Sequence, residues 1–143
     1  MRVAQISVFL ENRSGRLTEV SRVLGLSEVN IRALCVAETA DYGVLRLILN
    51  DPARGREVLE AAGFTVQETE VLAVEIPDVP GGLAQALQPL EEASVNVEYI
   101  YSFVEKSGES AIVVFRVEDL GRAVTALEDA GLRLMKGDDI YRL

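Results

Sequence analysis

The chain lacks histidine and tryptophan, and it has a single cysteine, Cys35, among its 143 residues. Without histidine, the side chain most often used for general acid–base catalysis is missing. A lone cysteine forms no disulfide within the chain and cannot make a zinc site by itself. We therefore predict no catalytic residues, no metal site and no cofactor.

Long apolar segments and positive charge are also scarce. No apolar run approaches the roughly 20 residues that a membrane-spanning helix needs, and none at the start is typical of a signal peptide. The 14 Lys and Arg residues face 23 Asp and Glu, so the net charge is −9. That charge opposes binding to nucleic acid or to an anionic membrane surface. We expect a cytoplasmic protein without a nucleic-acid or membrane partner.

What the chain does have is an internal repeat, which is organised around two similar turns. Asp78-Val79-Pro80-Gly81-Gly82-Leu83 follows an alternating apolar run and precedes a helical pattern. Asn12-Arg13-Ser14-Gly15-Arg16-Leu17 does the same 66 positions earlier. Val29-Asn30-Ile31 and Val95-Asn96-Val97 are also 66 apart. Repetition of this kind divides the chain into two similar halves.

Later in each half the spacing becomes 68 positions, as from Asp51 to Asp119 and from Gly63 to Gly131. A two-residue insertion in a hairpin at 106–109 accounts for the change. Each half then has the order β-α-β-β-α-β, the ferredoxin-like plan. We predict an α+β fold of two such units in tandem, 1–70 and 71–143, with antiparallel sheets and helices on one face of each.

Local patterns predict several details. Aspartate followed by proline at Asp51 is typical of a helix start, and Gly63 and Gly131 are typical of helix ends. Alternation from 29 to 39 puts Cys35 among small core residues, where lone thiols are usually inert. The tail from Asp139 to Leu143 aligns with the first strand of the second half, so it is expected to add an edge strand.

The turn itself suggests chemistry. Asp78 is suited to cap the first free amides of the following helix, and Gly81 allows another group to approach the backbone. Backbone N–H groups at a helix start attract a carboxylate or a phosphate. The simpler interpretation is a well-capped strand-to-helix turn, since short motifs are weak evidence.

These paired motifs resemble the ACT domain, a small regulatory module of many enzymes of amino-acid metabolism, and two copies resemble the stand-alone tandem ACT proteins. The second half matches the Asp-x-Pro-Gly motif, whereas Asn12 and Ser14 replace the acid and the proline in the first. The resemblance implies a free amino acid bound between paired modules. It assigns ligand binding to Asn12, Ser14, Gly15, Arg16, Leu17 and Asn30 in the first half, and to Asp78, Pro80, Gly81, Gly82, Leu83 and Asn96 in the second.

Function then has several alternatives. The resemblance favours a non-catalytic, allosteric regulator that senses an amino acid and modulates a partner enzyme or its own assembly, with a homodimer formed through exposed sheet edges. A ligand-free module that only mediates subunit pairing is the main rival. The same fold plan hosts small hydrolases, but no nucleophile stands beside a base. Asn30 and Asn96 have a local alternative, the start of a strand near a turn. Tyr99 and Tyr101 are expected to cover the sheet or a partner.

Overall fold

A computed structural model of the chain describes residues 2–38, 41–103 and 110–143. The hairpin predicted at 106–109 lies outside these residues. The first half forms β1 (Val3–Glu11), α1 (Arg16–Leu26), β2 (Ile31–Glu38), β3 (Tyr42–Leu49) and α2 (Pro52–Ala61). The long strand β4 (Thr65–Pro77) follows, and then α3 (Gly82–Glu92), β5 (Val97–Ser102), β6 (Ser110–Val117), α4 (Leu120–Asp129), β7 (Arg133–Met135) and α5 (Gly137–Tyr141).

The chain forms two compact units. The first unit contains Ala4–Thr69 with Tyr141–Leu143, and the second contains Glu70–Ile140 with the start of β1 up to Val3. Strand β4 continues from one unit into the other, so no linker separates them. Each unit has the predicted βαββαβ order.

The sheet of the first unit runs β2-β3-β1, and β4 lies next to β1. β1 and β3 are antiparallel, with Ile6 opposite Leu47 and Glu11 opposite Tyr42. One face of this sheet is apolar because alternate residues of each strand point the same way. Its core contains Ile6, Val8, Leu10, Leu45, Leu47 and Leu49 from the strands, packed with Val20, Leu24 and Leu59 from the helices.

The second unit repeats this arrangement as β5-β6-β4, and β7 pairs with β4. Leu72 lies opposite Phe115 and Ile76 opposite Ala111. The core again joins one sheet face to two helices, through Leu72, Val74, Ile76, Val113, Phe115, Val117, Ala86, Leu90, Ala123 and Leu127. The predicted fold class is confirmed.

Helix boundaries follow the predicted local chemistry. The Asp51 side chain accepts a hydrogen bond from the Arg54 backbone N–H at 3.1 Å, and Pro52 begins α2. Asp119 does the same for α4 through the Arg122 N–H. Just beyond these helices, Gly63 and Gly131 have φ of +92° and +80°, a conformation that favours glycine.

The core position predicted for Cys35 is wrong, because β2 contains a bulge. Its register shifts between Ile31 and Ala33. A shift of one residue moves every later side chain to the other face of the sheet. Cys35 therefore lies opposite Arg46, outside the helix-packed core, and is half-buried. Partial burial raises the pKa of its thiol, although a hydrogen bond from Arg46 and its positive charge act the other way.

The edge strand predicted for the tail is also wrong. Residues Gly137–Tyr141 form the short helix α5, whose first turn carries Asp138 and Asp139. Acidic residues stabilise a helix start through the helix dipole. Ile140 is fully buried, and the Tyr141 hydroxyl accepts a hydrogen bond from the Ala4 N–H at 3.1 Å.

Candidate functional site

The first predicted turn connects β1 to α1. The Asn12 N–H donates to the Asp41 carbonyl at 3.0 Å, so this amide already has an acceptor. Gly15 is the N-cap of α1 with φ of +91°, and the first helical bond runs from the Glu19 N–H to its carbonyl. The N-cap residue makes no side-chain hydrogen bond to the helix, and the first amides of a helix have no acceptor within it.

The second turn connects β4 to α3, and its glycine has nearly the same backbone conformation as Gly15. The Gly82 N–H donates to the Val79 carbonyl at 2.9 Å, and Gly81 has φ +83° and ψ −4°. These φ and ψ angles are typical of the third residue of a type II turn, and proline is common at the second residue, as Pro80 is here. Gly81 holds the N-cap position of α3, three residues after Asp78.

The structure shows why residue 82 is glycine, which the sequence did not predict. A Cβ added at this position would lie 2.1 Å from the carbonyl oxygen of Pro77. The glycine thus lets the end of β4 pack against the first turn of α3. At Gly15 and Gly81 an added Cβ would meet nothing within 4 Å. The positive φ alone therefore explains why these two residues are glycine.

Arg16 occupies in the first unit the position of Gly82 in the second. Its guanidinium carbon lies 4.9 Å from the centre of the Phe64 ring, a cation–π distance. It also pairs with Glu19, one turn along α1. Its side chain is 20% exposed, and its Nε is buried without a hydrogen-bond partner among the described residues. The positively charged guanidinium group of Arg16 is therefore held at the start of α1.

Three clefts of the first unit have Arg16 in their lining. One, the Arg16 cleft, has a volume of about 300 Å³ and is lined by Phe9, Leu10, Glu11, Arg16, Tyr42, Gly63, Phe64 and Thr65. Another, the loop cleft, has about 100 Å³ and is lined by Leu10, Glu11, Asn12, Arg13, Arg16, Leu17, Val36, Glu38 and Gly43. The third has about 330 Å³ and is lined by Arg16, Glu19, Arg22, Val23, Ala62, Gly63 and Phe64. The predicted residues Asn12, Arg16 and Leu17 thus line a common hollow.

Asn30 and Asn96 lie far from the predicted turns of their own units. β2 begins opposite the end of β3, with Ile31 facing Leu49, whereas the first turn lies beside the start of β3. The eight residues of β3 separate the two ends by roughly 25 Å at about 3.3 Å per residue. In the second unit, Val97 likewise faces Val117 at the far end of β6.

At that far end the two asparagines connect neighbouring segments. The Asn30 N–H donates to the Asn50 Oδ1 at 2.8 Å, and the Asn50 N–H donates to the Asn30 carbonyl at 3.0 Å. The Asn96 carbonyl accepts from the Glu118 N–H at 3.1 Å. Their backbones thus join the start of one strand to the end of the next.

Sequence reasoning missed Tyr42, Phe64 and Thr65 as cleft residues. Tyr42 begins β3, Phe64 lies between α2 and β4, and Thr65 begins β4, so all three are far along the chain from Arg16. The only available signal was the predicted topology, which places the start of β3 beside the end of β1. No motif marks these residues.

Among residues 2–38, 41–103 and 110–143, no three His, Cys, Asp or Glu side chains are grouped so that they could hold a metal ion. Over the same described ranges, every helix is too short or too polar to span a membrane.

Comparison with known proteins identifies the family. A family model described as an ACT domain pair matches residues 1–143, whereas no curated protein matches the chain. The crystal structure of protein BT0572 from Bacteroides thetaiotaomicron has 40% sequence identity and a TM-score of 0.94, over 100% of this chain and 98% of that one.

More distant structures share the fold. The ligand-free regulatory subunit of aspartate kinase from Thermus thermophilus has 18% identity and a TM-score of 0.67, over 89% of this chain and 91% of that one. A structure of aspartokinase alpha and beta subunits has 16% identity and a TM-score of 0.57, over 91% and 92%. The chain therefore belongs to the ACT domain family as an ACT domain pair, which confirms the resemblance drawn from its two turns.

Proposed function

We propose that this ACT domain pair is a non-catalytic regulatory protein that binds a free amino acid and transmits its presence to a partner enzyme or to its own assembly. The observation that carries the proposal is the position of Arg16, which lines three clefts beside the first predicted turn. ACT domains are regulatory modules, and a structure of similar fold is an aspartate kinase regulatory subunit.

The charges around Arg16 suit a zwitterion. A guanidinium offers five N–H donors and binds carboxylates well, and the first amides of α1 favour the same negative group. Glu11 and Glu38 line the loop cleft and could accept the ligand's ammonium group. The Glu11 carboxylate already lies 3.3 Å from the Arg13 Nε in an exposed ion pair. On binding, it would exchange part of its interaction with Arg13 for the ligand's ammonium group. The Arg16 cleft, at about 300 Å³, is at the lower end for ligand pockets, which favours a small molecule.

The second unit is proposed as a weaker site or no site. Asp78, Pro80, Gly81, Gly82 and Leu83 surround its turn, but Gly82 supplies no cation and its amide is already bonded to Val79. Within the first unit the proposed ligand contacts are Asn12, Ser14, Gly15, Arg16 and Leu17. Asn30 and Asn96 are left out because they lie at the other end of each sheet.

Thermal unfolding in the presence of each of the twenty amino acids tests the proposal. A ligand at about 100 times its Kd adds about 2.7 kcal/mol, which raises the Tm of a chain of this size by roughly 5 to 10 °C. Arg16→Ala should abolish that rise, whereas Arg56→Ala should preserve it, since Arg56 pairs with Glu60 on the exposed side of α2. If no amino acid raises the Tm at millimolar concentration, the ligand-free pairing module is the better description.

A further inference from the structure

The Arg16 cleft has an aromatic lining. The chain has four phenylalanines and four tyrosines. Three of these residues, Phe9, Tyr42 and Phe64, line this cleft, which has a volume of about 300 Å³. Phe9 and Tyr42 are 38% and 52% exposed, although large apolar side chains gain free energy from burial. Exposed aromatic side chains grouped in a concave site are typical of a surface that a ligand covers.

The strand register explains why these side chains meet. Tyr42 lies directly opposite Glu11, so both side chains project from the same face of the sheet. Phe9 is two residues before Glu11 and points to that face as well, away from the helix-packed core. Phe64 comes from the connection between α2 and β4 and lies against the Arg16 guanidinium. The cleft is thus bounded by two strands and by the cation at the start of α1.

The second unit has no aromatic residue at the corresponding positions. The repeat replaces Phe9, Tyr42 and Phe64 of the first unit by Glu75, Ser110 and Leu132. Glu75 instead forms an ion pair with Arg133, its neighbour on β7, at 3.1 Å. Because the second unit has the same fold without these rings, the aromatic lining is not required for folding and belongs to the first unit alone.

We propose that the Arg16 cleft holds the side chain of the bound amino acid, and that this side chain is aromatic. The inference deepens the proposed function and rests on it. The loop cleft, at about 100 Å³, suits the compact ammonium and carboxylate groups, and it shares Leu10, Glu11 and Arg16 with the Arg16 cleft. A ligand whose carboxylate meets Arg16 and whose ammonium group meets Glu11 therefore extends its side chain into the larger cleft.

The rest of the lining determines the class of side chain. Among the described residues that line the Arg16 cleft, Glu11 and Arg16 alone are charged, and the ligand's ammonium and carboxylate groups occupy both. A charged ligand side chain would lose water without gaining a partner, which is unfavourable. A ring fits by size, since an apolar cavity of about 150 Å³ binds benzene. Pairs of aromatic rings also attract each other beyond the area that they bury.

The third cleft around Arg16 offers a competing position for the side chain. It has a volume of about 330 Å³ and contains Arg22 and Glu19 as well as Arg16. A ligand that placed its side chain beside Arg22 would carry an acidic group there, because a guanidinium binds carboxylates. The two positions therefore predict different ligands and depend on different residues.

Calorimetric titration of the full chain compares L-phenylalanine with L-alanine and L-glutamate, which have the same α-amino and α-carboxylate groups. Phenylalanine should bind about tenfold more tightly or better than either, because the ring is buried on binding. Tighter binding of tyrosine or tryptophan would support the same class. In saturation-transfer NMR, the ring protons of phenylalanine should receive more saturation than its α-proton, because protein atoms surround the ring.

Substitutions in the cleft test where the ring lies. Phe9→Ala and Tyr42→Ser should each raise the Kd for phenylalanine about fivefold or more, since each removes an aromatic contact. Ile100→Ala is the matched control, because Ile100 is 37% exposed on β5 and lies outside the cleft. It should leave the Kd unchanged, and so should Arg22→Ala. The altered side chains are partly exposed, so each variant should keep its fold, which circular dichroism checks.

Three results would overturn the inference: tightest binding of a non-aromatic amino acid, a Kd for phenylalanine that Phe9→Ala and Tyr42→Ser leave unchanged, or a loss of binding in Arg22→Ala. Failure of the proposed function gives a different result. If none of the twenty amino acids binds, both proposals fail. If a non-aromatic amino acid binds and Arg16→Ala abolishes its binding, the proposed function stands and the aromatic class alone is wrong.

Discussion

The two units share one fold but differ at the residue that follows the positive-φ glycine. In the second unit this residue is Gly82, and the Pro77 carbonyl lies so close that no Cβ fits. In the first it is Arg16, whose long side chain lies against Phe64 and lines the clefts around it. The unit with the complete Asp-x-Pro-Gly motif is therefore the one in which the residue after the positive-φ glycine has no room for a side chain. A complete motif therefore indicates how the turn is built, and it does not indicate whether a ligand fits beside the turn.

The largest expected effect is the loss caused by Gly82→Ala. A Cβ 2.1 Å from a backbone carbonyl forces the end of β4 and the start of α3 apart. We expect the free energy of unfolding of the second unit to fall by roughly 3 kcal/mol, measured by urea denaturation. Arg16→Ala is the matched substitution in the first unit and should cost much less. Equal losses for the two variants would mean that the turns are not built differently.

Substitution of the preceding glycines should have a smaller and symmetric effect. Gly15→Ala and Gly81→Ala introduce a Cβ that meets nothing within 4 Å, so only the positive φ is penalised. We expect each to lower the free energy of unfolding by about 1 to 2 kcal/mol. The two losses should agree within about 0.5 kcal/mol. A clear excess at Gly81 would show that the second turn is strained for a reason other than backbone conformation.

The two cores differ at a pair of contacting positions, where a smaller residue on the helix is matched by a larger residue on the strand. Gly55 of α2 is buried, and an added Cβ would lie 2.3 Å from Leu49 Cδ1, whereas the repeat places Ala123 and Val117 at the corresponding positions of the second core. Gly55→Ala should cost about 1 kcal/mol, since overpacking outweighs the gain in helix propensity. Leu49→Val in the same chain should recover most of the loss. A double variant no more stable than Gly55→Ala would contradict this exchange of volume.

Local chemistry made the organisation of the chain predictable. The repeat, the aspartate caps at Asp51 and Asp119, and the helix ends at Gly63 and Gly131 depend on residues adjacent in sequence, and the structure has all of them. The side of the sheet on which Cys35 lies was not predictable, because the bulge in β2 leaves no local mark in the sequence. β5 has its bulge at the corresponding place, between Val97 and Tyr99, which shows that the deviation belongs to the repeated unit.

The candidate site was predicted only in part. The turn residues of the first unit are neighbours in sequence and stay together, but Asn30 required the strand register to place it at the other end. Phe64 and Tyr42 line the Arg16 cleft because distant parts of the chain pack together, which periodicity cannot show. Short-range patterns thus located the turn, and long-range packing determined what surrounds it.

The smallest expected effect is the interaction between Arg16 and Phe64, which a double-mutant cycle can isolate. The repeat places Leu132 at the position of Phe64 and Gly82 at that of Arg16, so the second unit lacks both partners. Arg16→Ala and Phe64→Leu, singly and together, should give a coupling energy of about 0.5 to 1 kcal/mol from denaturation midpoints. Glu19→Ala should leave most of that coupling in place, because the ion pair and the ring contact involve different sides of the guanidinium group. Zero coupling would mean that Phe64 does not hold the cation, and Arg16 would then be free to leave the cleft where we propose that it meets a carboxylate.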